Sequence, residues 1–406
     1  MKKNVVRLQW SPEEVIDVGQ LAETDRRVYF EFAPGFLERH LDLSTFKLPR
    51  RSGLIEHTDR AFGPLPGLFD DSLPDGWGLI LMDRMFRKRK IDPAVVSPLD
   101  RLSYVGTRAM GALTFHPPNN DLERDEELLN LYELGQNARA VLAGEATAVL
   151  PQLMRAGGSP GGARPKVLVG VQGEQIISGE TDLPAGFDPW IVKFTAKADG
   201  RDAGRIEFAY AAMARAAGIH VPETRLLQVE KGNSYFAVRR FDRGPANQRL
   251  HVHTFGNLIQ TNFRIPSTDY VQLLKVTLML TRNRADVAQA FRQMAFNIAA
   301  HNRDDHAKNF AFIMNHVGEW SLSPAYDLTH SAGPGGEHTM TVAGEGRAPN
   351  REHALEVAEE AEIERREAIR ILGEVNAAIT GWPMFADEAG CSQRRSRAVA
   401  KKFAHL

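Results

Sequence analysis

The apolar positions of the 406-residue chain change period several times, and those changes mark elements before any chemistry is considered. The first quarter carries short runs of β-formers between turns, such as residues 28–32 (VYFEF). Proline and glycine interrupt residues 65–78 repeatedly, so that stretch reads as a packed loop in a small mixed module. Residues 100–115 end in GTRAMGALTF, a turn leading into a strand, and HPPNNDLERDEE then has the composition of a surface joint. A module boundary is expected near residue 120.

From residue 129 to 153, apolar side chains at helical spacing predict one or two helices. The period then shortens: GGSPGGARPK leads to VLVGV and on to DPWIVKF, a glycine-rich loop between β elements. Residues 207–217 are alanine-rich and run into Gly218, as expected for a helix stopped by glycine. SYFAVRRF supplies a further strand and completes a β/α/β alternation through residue 241. Beyond His251 the pattern is mainly helical, with short strands near 310–314 and 320–322. Residues 351–380 predict one charged amphipathic helix ending before Gly381-Trp382-Pro383. The larger part is thus a β-containing lobe followed by a helical one.

Composition narrows the functional classes. With 50 Lys+Arg against 51 Asp+Glu, bulk attraction to nucleic acid or anionic membrane is not the organising principle. A 43% hydrophobic share sustains a core without disulfides, and the single cysteine, Cys391, permits no intrachain disulfide or thiolate metal cluster. The opening MKKNVVRLQW lacks the apolar core of a signal peptide, and no apolar run approaches about 18 residues, so a soluble, cytoplasmic protein without membrane attachment is expected.

Four places can carry chemistry. In the loop at 157–166, Gly161, Gly162 and Ala163 let backbone amides approach an anion while Lys166 adds charge at its edge; neither the Walker A nor the dinucleotide spacing is present. A mobile surface loop is the plain alternative. Lys193, inside the apolar run WIVKF, can hold phosphates from a strand, with Glu207 on the next helix fixing its ammonium; both residues can equally face water. Phe241, in Arg239-Arg240-Phe241-Asp242-Arg243, can contact an adenine, or the five residues form a charged turn.

The sharpest signal is Asn302-Arg303-Asp304-Asp305-His306-Ala307-Lys308-Asn309, with Asp327 further on in PAYDL. One carboxylate, Asp304, can orient or deprotonate a hydroxyl. An amide oxygen five residues later, Asn309, and the separate carboxylate of Asp327 are hard donors suited to magnesium against phosphate, and Lys308 can offset phosphate charge. A hydrogen-bonded helix end is the plain alternative. His301 and His306 do not have the HExxH zinc spacing, and His251 and His253 read as same-face residues of an extended run.

In this order, the loop SPGGARPK, the run WIVK, the cluster RFDR, the block RDDHAKN and the pair YD resemble the HipA family of bacterial serine/threonine protein kinases, the toxins of type II toxin–antitoxin systems. Residues 65–78 and 100–115 look like that family's amino-terminal subdomain, and the likeness covers about residues 20–380. The resemblance implies an α+β, atypical two-lobed protein-kinase-like fold with an added amino-terminal mixed α/β subdomain. Its expected parts are an amino-terminal subdomain at 1–120, a nucleotide-binding lobe at 121–245 and a mainly helical catalytic lobe and tail at 246–406.

It also implies ATP and Mg2+ as cofactors and phosphorylation of a protein serine or threonine. By position, Lys193 matches the phosphate-binding lysine, Asp304 the catalytic aspartate, Asn309 and Asp327 the magnesium ligands, Phe241 the adenine-contacting aromatic, and Ser159 the inhibitory autophosphorylation site. Pro165 and Arg239 depart from the family pattern, at a usually acidic loop position and at a hinge where a glutamate can contact adenine. The implied partners are a protein acceptor such as an aminoacyl-tRNA synthetase or another translation factor, and a separate helix-turn-helix antitoxin. Direct DNA binding is not expected, and the basic ending Arg394-Arg395-Ser396-Arg397 reads as a solvated tail. The other functional classes are a degenerate kinase serving as a protein-interaction module and a small-molecule kinase.

Overall fold

The computed structural model describes residues 1–118, 128–146, 148–157, 162–196, 199–229 and 234–406. The expected boundary near 120, Ser159 and Gly161 lie outside these residues. The chain forms two compact units. One comprises Met1–Gly200, Leu227–His253 and Met314–Gly318; the other comprises Arg201–Leu226, Thr254–Ile313 and Glu319–Leu406.

In the first unit, strands β1 (Lys2–Gln9), β2 (Val15–Thr24), β3 (Arg27–Phe32), β4 (Ile55–Glu56) and β5 (Leu113–His116) make an antiparallel sheet in the order β4-β3-β2-β1-β5. Alternate side chains of β1 and β3, among them Val6, Leu8, Val28, Phe30 and Phe32, are buried, the period-two signature of a sheet with one covered face. Helix Pro98–Val105 starts with a capping box between Ser97 and Asp100 and proline at its first turn. Asn4 Nδ2 donates to Leu99 O at 2.9 Å and ties β1 to that helix.

Residues 65–78 differ from the packed loop expected. They form helix Gly67–Asp70 and open a second helix, Gly76–Lys88. Trp77, Leu81, Met82, Met85 and Phe86 bury one stripe of that helix, and this helical spacing overrides the punctuation before it.

A second antiparallel core sheet follows, built from β6 (Lys166–Gln172), β7 (Gln175–Ser178), β8 (Asp188–Lys193), β9 (Thr224–Gln228) and β10 (Ser234–Arg239), in the order β7-β6-β8-β10-β9. Gly173, at φ 58°, makes the tight turn between β6 and β7. Helices Leu131–Leu142 and Pro151–Ala156 precede the sheet. Gly135 has to be glycine because a Cβ there would collide with Tyr235. β11 (His251–Thr254) begins at the end of the Leu227–His253 stretch, with His251 and His253 buried.

The second unit is mainly helical. Helix Ala203–Ala216 ends before Gly218, which turns left-handed at φ 80°. Helices Tyr270–Thr281 and Arg284–Ala299 form a hairpin through left-handed Arg282 and the Asn283 cap. Short strands β12 (Thr268–Asp269) and β15 (Met340–Thr341) pair in parallel, while β13 (Ala311–Met314) neighbours β14 (Trp320–Leu322).

The single helix expected over 351–380 is two, Arg351–Glu360 and Arg365–Thr380. Glu362 is left-handed between them, and Arg284 holds it by Nη1 to its carbonyl at 3.1 Å and Nη2 to its carboxylate at 2.7 Å. The basic ending is no tail either: Ser392 accepts from Arg395 N and caps helix Gln393–Ala400. Among the described residues, no helix is long and apolar enough to cross a membrane.

Candidate active site

The candidate residues fall in both units. Gly162, Ala163, Lys166, Lys193 and Phe241 belong to the first; Glu207, Asp304, Lys308, Asn309 and Asp327 belong to the second.

In the first unit the antiparallel register sets Lys166 directly opposite Lys193, and Phe236 opposite Lys193 on the other side. Register partners share a face, so both ammonium groups rise from one side of the sheet beside Leu168, Ile191 and Val238. Lys193 Nζ lies 5.6 Å from the centre of the Phe236 ring. Lys166 is buried, and a Cβ added to Gly162 would come within 2.5 Å of its Nζ. Gly162, at φ 93°, therefore bends the loop back over the lysine in a way that only glycine tolerates.

The loop is propped from the amino-terminal part of the same unit. Asp75 accepts from Gly162 N, Trp77 N donates to Gly162 O at 2.9 Å, and Trp77 Nε1 donates to Lys166 O at 3.0 Å. Sequence reasoning missed these supports; the buried tryptophan inside Asp75-Gly76-Trp77-Gly78 was their one signal. Pro165 gives up only an N–H ahead of the strand, and its carbonyl accepts from Phe194 N at 2.8 Å. Arg239 turns to Asp188 at 2.5 Å, and Phe241 is half-buried just past β10.

In the second unit, residues 303–306 after helix Arg284–Ala299 belong to no helix or strand, with His306 extended at φ -70° and ψ 161°, and lead into a 3-10 turn, Ala307–Asn309. Within it Asp304 is exposed while its neighbour Asp305 is completely buried. Asn309 is buried and its Nδ2 donates to Asp304 O at 2.7 Å, which leaves Oδ1 as the atom able to ligate. Lys308 carries its Nζ over the Phe263 ring at 5.0 Å, and its carbonyl accepts from Tyr326 Oη at 2.7 Å. Asp327 next to it holds φ 54°, in the left-handed region that aspartate, after glycine and asparagine, visits more readily than most residues. Glu207 is buried on helix Ala203–Ala216.

Sequence reasoning also passed over the residues behind Asp304. Asp305 Oδ2 accepts from Tyr270 Oη at 2.7 Å and from His338 Nδ1 at 2.8 Å, and Oδ1 accepts from Thr339 N at 2.8 Å. Asn297 Nδ2 donates to Tyr270 Oη at 3.0 Å, and Asn302 Nδ2 donates to Asn297 Oδ1 at 2.9 Å. Burial, and after it the Asp305 carboxylate, pushes the Tyr270 hydroxyl well above its ordinary pKa, so it stays a donor.

The family model of the HipA-like C-terminal domain matches residues 158–382, more than half of the chain. The chain belongs to the HipA-like family. The model of the HipA N-terminal domain matches residues 14–116 as well. The fold is shared with HipA in the solved complex of HipA, HipB and operator DNA from Shewanella oneidensis MR-1, at a TM-score of 0.72 and 16% identity, over 98% of this chain and 94% of that one. A putative kinase of Sinorhizobium fredii, Y4dM, is 27% identical over 281 residues, which are 65% of this HipA-like chain and 62% of that relative, so less than two thirds of its length is spanned.

The donor set suits magnesium. Among the described residues no three His, Cys, Asp or Glu side chains converge on one point. An amide oxygen, Asn309 Oδ1, and the Asp327 carboxylate are hard donors, and a cation that keeps several waters needs no more from the protein.

Proposed function

We propose that this HipA-like protein is an ATP- and magnesium-dependent protein serine/threonine kinase of the toxin type. The observation that carries the reading is the presentation of Asp304: an exposed carboxylate directly ahead of a fully buried Asp305, with the buried Asn309 bonded to its backbone carbonyl. Lys166 and Lys193 hold the ATP phosphates, with Gly162 allowing close backbone approach. Phe241 supplies the adenine contact. Asp304 orients the acceptor hydroxyl and takes its proton as the oxygen–phosphorus bond forms; the bond from the γ-phosphorus to the β–γ bridging oxygen breaks and ADP leaves. Asn309 and Asp327 would hold magnesium, which when bound would spread phosphate charge, and Lys308 would add to that neutralisation.

The acceptor is a serine or threonine of a translation component, an aminoacyl-tRNA synthetase being the first to test, and the site of action is the cytoplasm. Growth arrest follows from modifying such a target. A separate helix-turn-helix antitoxin is the proposed partner, by likeness to the HipA–HipB assembly. Ser159 is the proposed inhibitory autophosphorylation site, because a phosphate there adds about −1.5 to −2 charge beside a phosphate-binding loop. The three-part division at 120 and 245 separates an amino-terminal module from the nucleotide and catalytic lobes.

The test is transfer of label from γ-labelled ATP to a pool of purified translation factors, with mass-spectrometric mapping of the acceptor residues. Asp304→Asn is expected to lower transfer at least about 100-fold while leaving the fold intact, since the side chain is exposed. Transfer unchanged in Asp304→Asn would overturn the assignment.

A further inference from the structure

The buried cluster behind Asp304 reaches beyond the segment it supports. The chain that follows Asp327 folds back onto residues 301–305 at four points: Ser331 N donates to His301 O at 3.1 Å, Arg303 N to Ser331 O at 3.2 Å, Thr339 Oγ1 to Arg303 O at 3.1 Å, and Arg303 Nη2 to Arg347 O at 3.0 Å. At the centre lie Asp305 and His338, joined by an Nδ1–H···Oδ2 bond of 2.8 Å with both side chains almost fully withdrawn from solvent.

A carboxylate so buried is costly unless its oxygens are occupied, and three donors occupy them here: Tyr270 Oη, His338 Nδ1 and Thr339 N. The first donor stands on helix Tyr270–Thr281; the other two come from the returning segment. One carboxylate thus clamps a helix, the returning segment and the residue next to Asp304. Asp304 is exposed and Asp305, the next residue, is buried, so displacing Asp305 from its pocket also moves the backbone that carries Asp304.

We propose that Asp305 is a positioning residue for the transfer reaction and that His338 is its switchable partner: their bond sets the aim of Asp304 and makes it depend on the seating of residues 331–347. This rests on the phosphotransfer reading above. Asp305 touches neither nucleotide nor acceptor in this role.

Replacing Asp305 itself risks the fold, so the test uses its partner in the full-length protein. Asparagine places Nδ2 where histidine has Nδ1, whereas glutamine carries its amide one carbon further; His338→Asn therefore keeps the donor and His338→Gln and His338→Ala lose it. Autophosphorylation rates are measured against ATP concentration, with circular dichroism melts on every variant and Tyr270→Phe as an independent cut in the same cluster. The expected result is a maximal rate within about threefold of wild type for His338→Asn, and at least about tenfold lower for His338→Gln, His338→Ala and Tyr270→Phe, with the apparent KM for ATP within about twofold throughout. Rates that do not separate His338→Asn from His338→Gln, or a loss seen only in KM, overturn the proposal.

Hydrogen exchange of the peptide covering 302–309 reads the clamp without activity. Faster exchange in His338→Gln and His338→Ala than in His338→Asn supports it, and equal protection in all three overturns it. A wild type that incorporates no label yet shows that exchange pattern would reject the kinase reading and leave the clamp standing.

Discussion

Lys166 and Lys193 face each other in the register of β6 and β8, two ammonium groups on one face of an antiparallel pair. Like charges placed directly opposite weaken a sheet by roughly 0.2–1 kcal/mol, and a polyanion bound at that face reverses the sign. Lys166→Met and Lys193→Met each remove one ammonium group from that face. The same variants should lose most of the rise in melting temperature that ATP or pyrophosphate gives wild type, because the ligand then stabilises the fold through weaker binding. Thermal melts with and without ligand decide it; variants that keep the full ligand-induced rise would place the phosphates elsewhere.

Asp242 is the counterpart in the same unit, a buried anion between cations. Arg240 Nη2 lies 2.7 Å and Arg243 Nη1 2.6 Å from its Oδ2, and Gly111 N donates to it at 2.8 Å. Burial alone would raise its pKa, but the two guanidinium groups hold the carboxyl well below the usual carboxylate range. Arg243 also bonds Ala109 O at 3.1 Å and Gly111 O at 2.8 Å, so the cluster fastens the turn ahead of β5. Asp242→Ala leaves two buried cations uncompensated and is expected to cost about 3–5 kcal/mol, seen as a lower urea midpoint at an unchanged slope.

These two clusters also show what was legible in the chain. Lys193 stood out because charge inside an apolar run is rare, Lys166 by the glycine-rich loop it ends, and the RDDHAKN block by the spacing of Asp304, Asn309 and Asp327, while β10 and the helix stopped at Gly218 followed from period and punctuation. The lysine register was not legible: β6 and β8 are about 20 residues apart, and pairing is set by the whole sheet. The break at Glu362 carries no proline or glycine; Arg284, 78 residues earlier, creates it by bonding both its carbonyl and its carboxylate. Asp305 was hidden beside Asp304, since two adjacent aspartates reveal nothing of which one faces inward until His338 and Tyr270 are in place.

His251 on β11 gives the first unit a predictable weakness in acid. His253 bridges Asp71 Oδ2 through Nδ1 at 2.6 Å and Ser44 Oγ through Nε2 at 3.0 Å. The distances are those of a hydrolytic triad, but Ser44 and His253 are sealed in the core, so the chain is a structural relay. Its neighbour His251 sits 3.2 Å from Leu43 O through Nε2, and burial, reinforced by His253, drives its pKa down to about 3. An unfolded chain protonates that histidine near pH 6.5, so the unfolded state binds more protons between the two values. The stability contributed by neutral His251 is thus complete above about pH 6.5 and is lost as the pH falls toward the folded value, at up to about 1.4 kcal/mol per pH unit. His251→Gln keeps an amide donor near the position of Nε2 and cannot titrate. Urea unfolding at a series of pH values from about 6.5 to 5.5, above the range where most carboxylates titrate, should show a shallower decline for the variant than for wild type; parallel declines would mean that His251 is already charged in the fold.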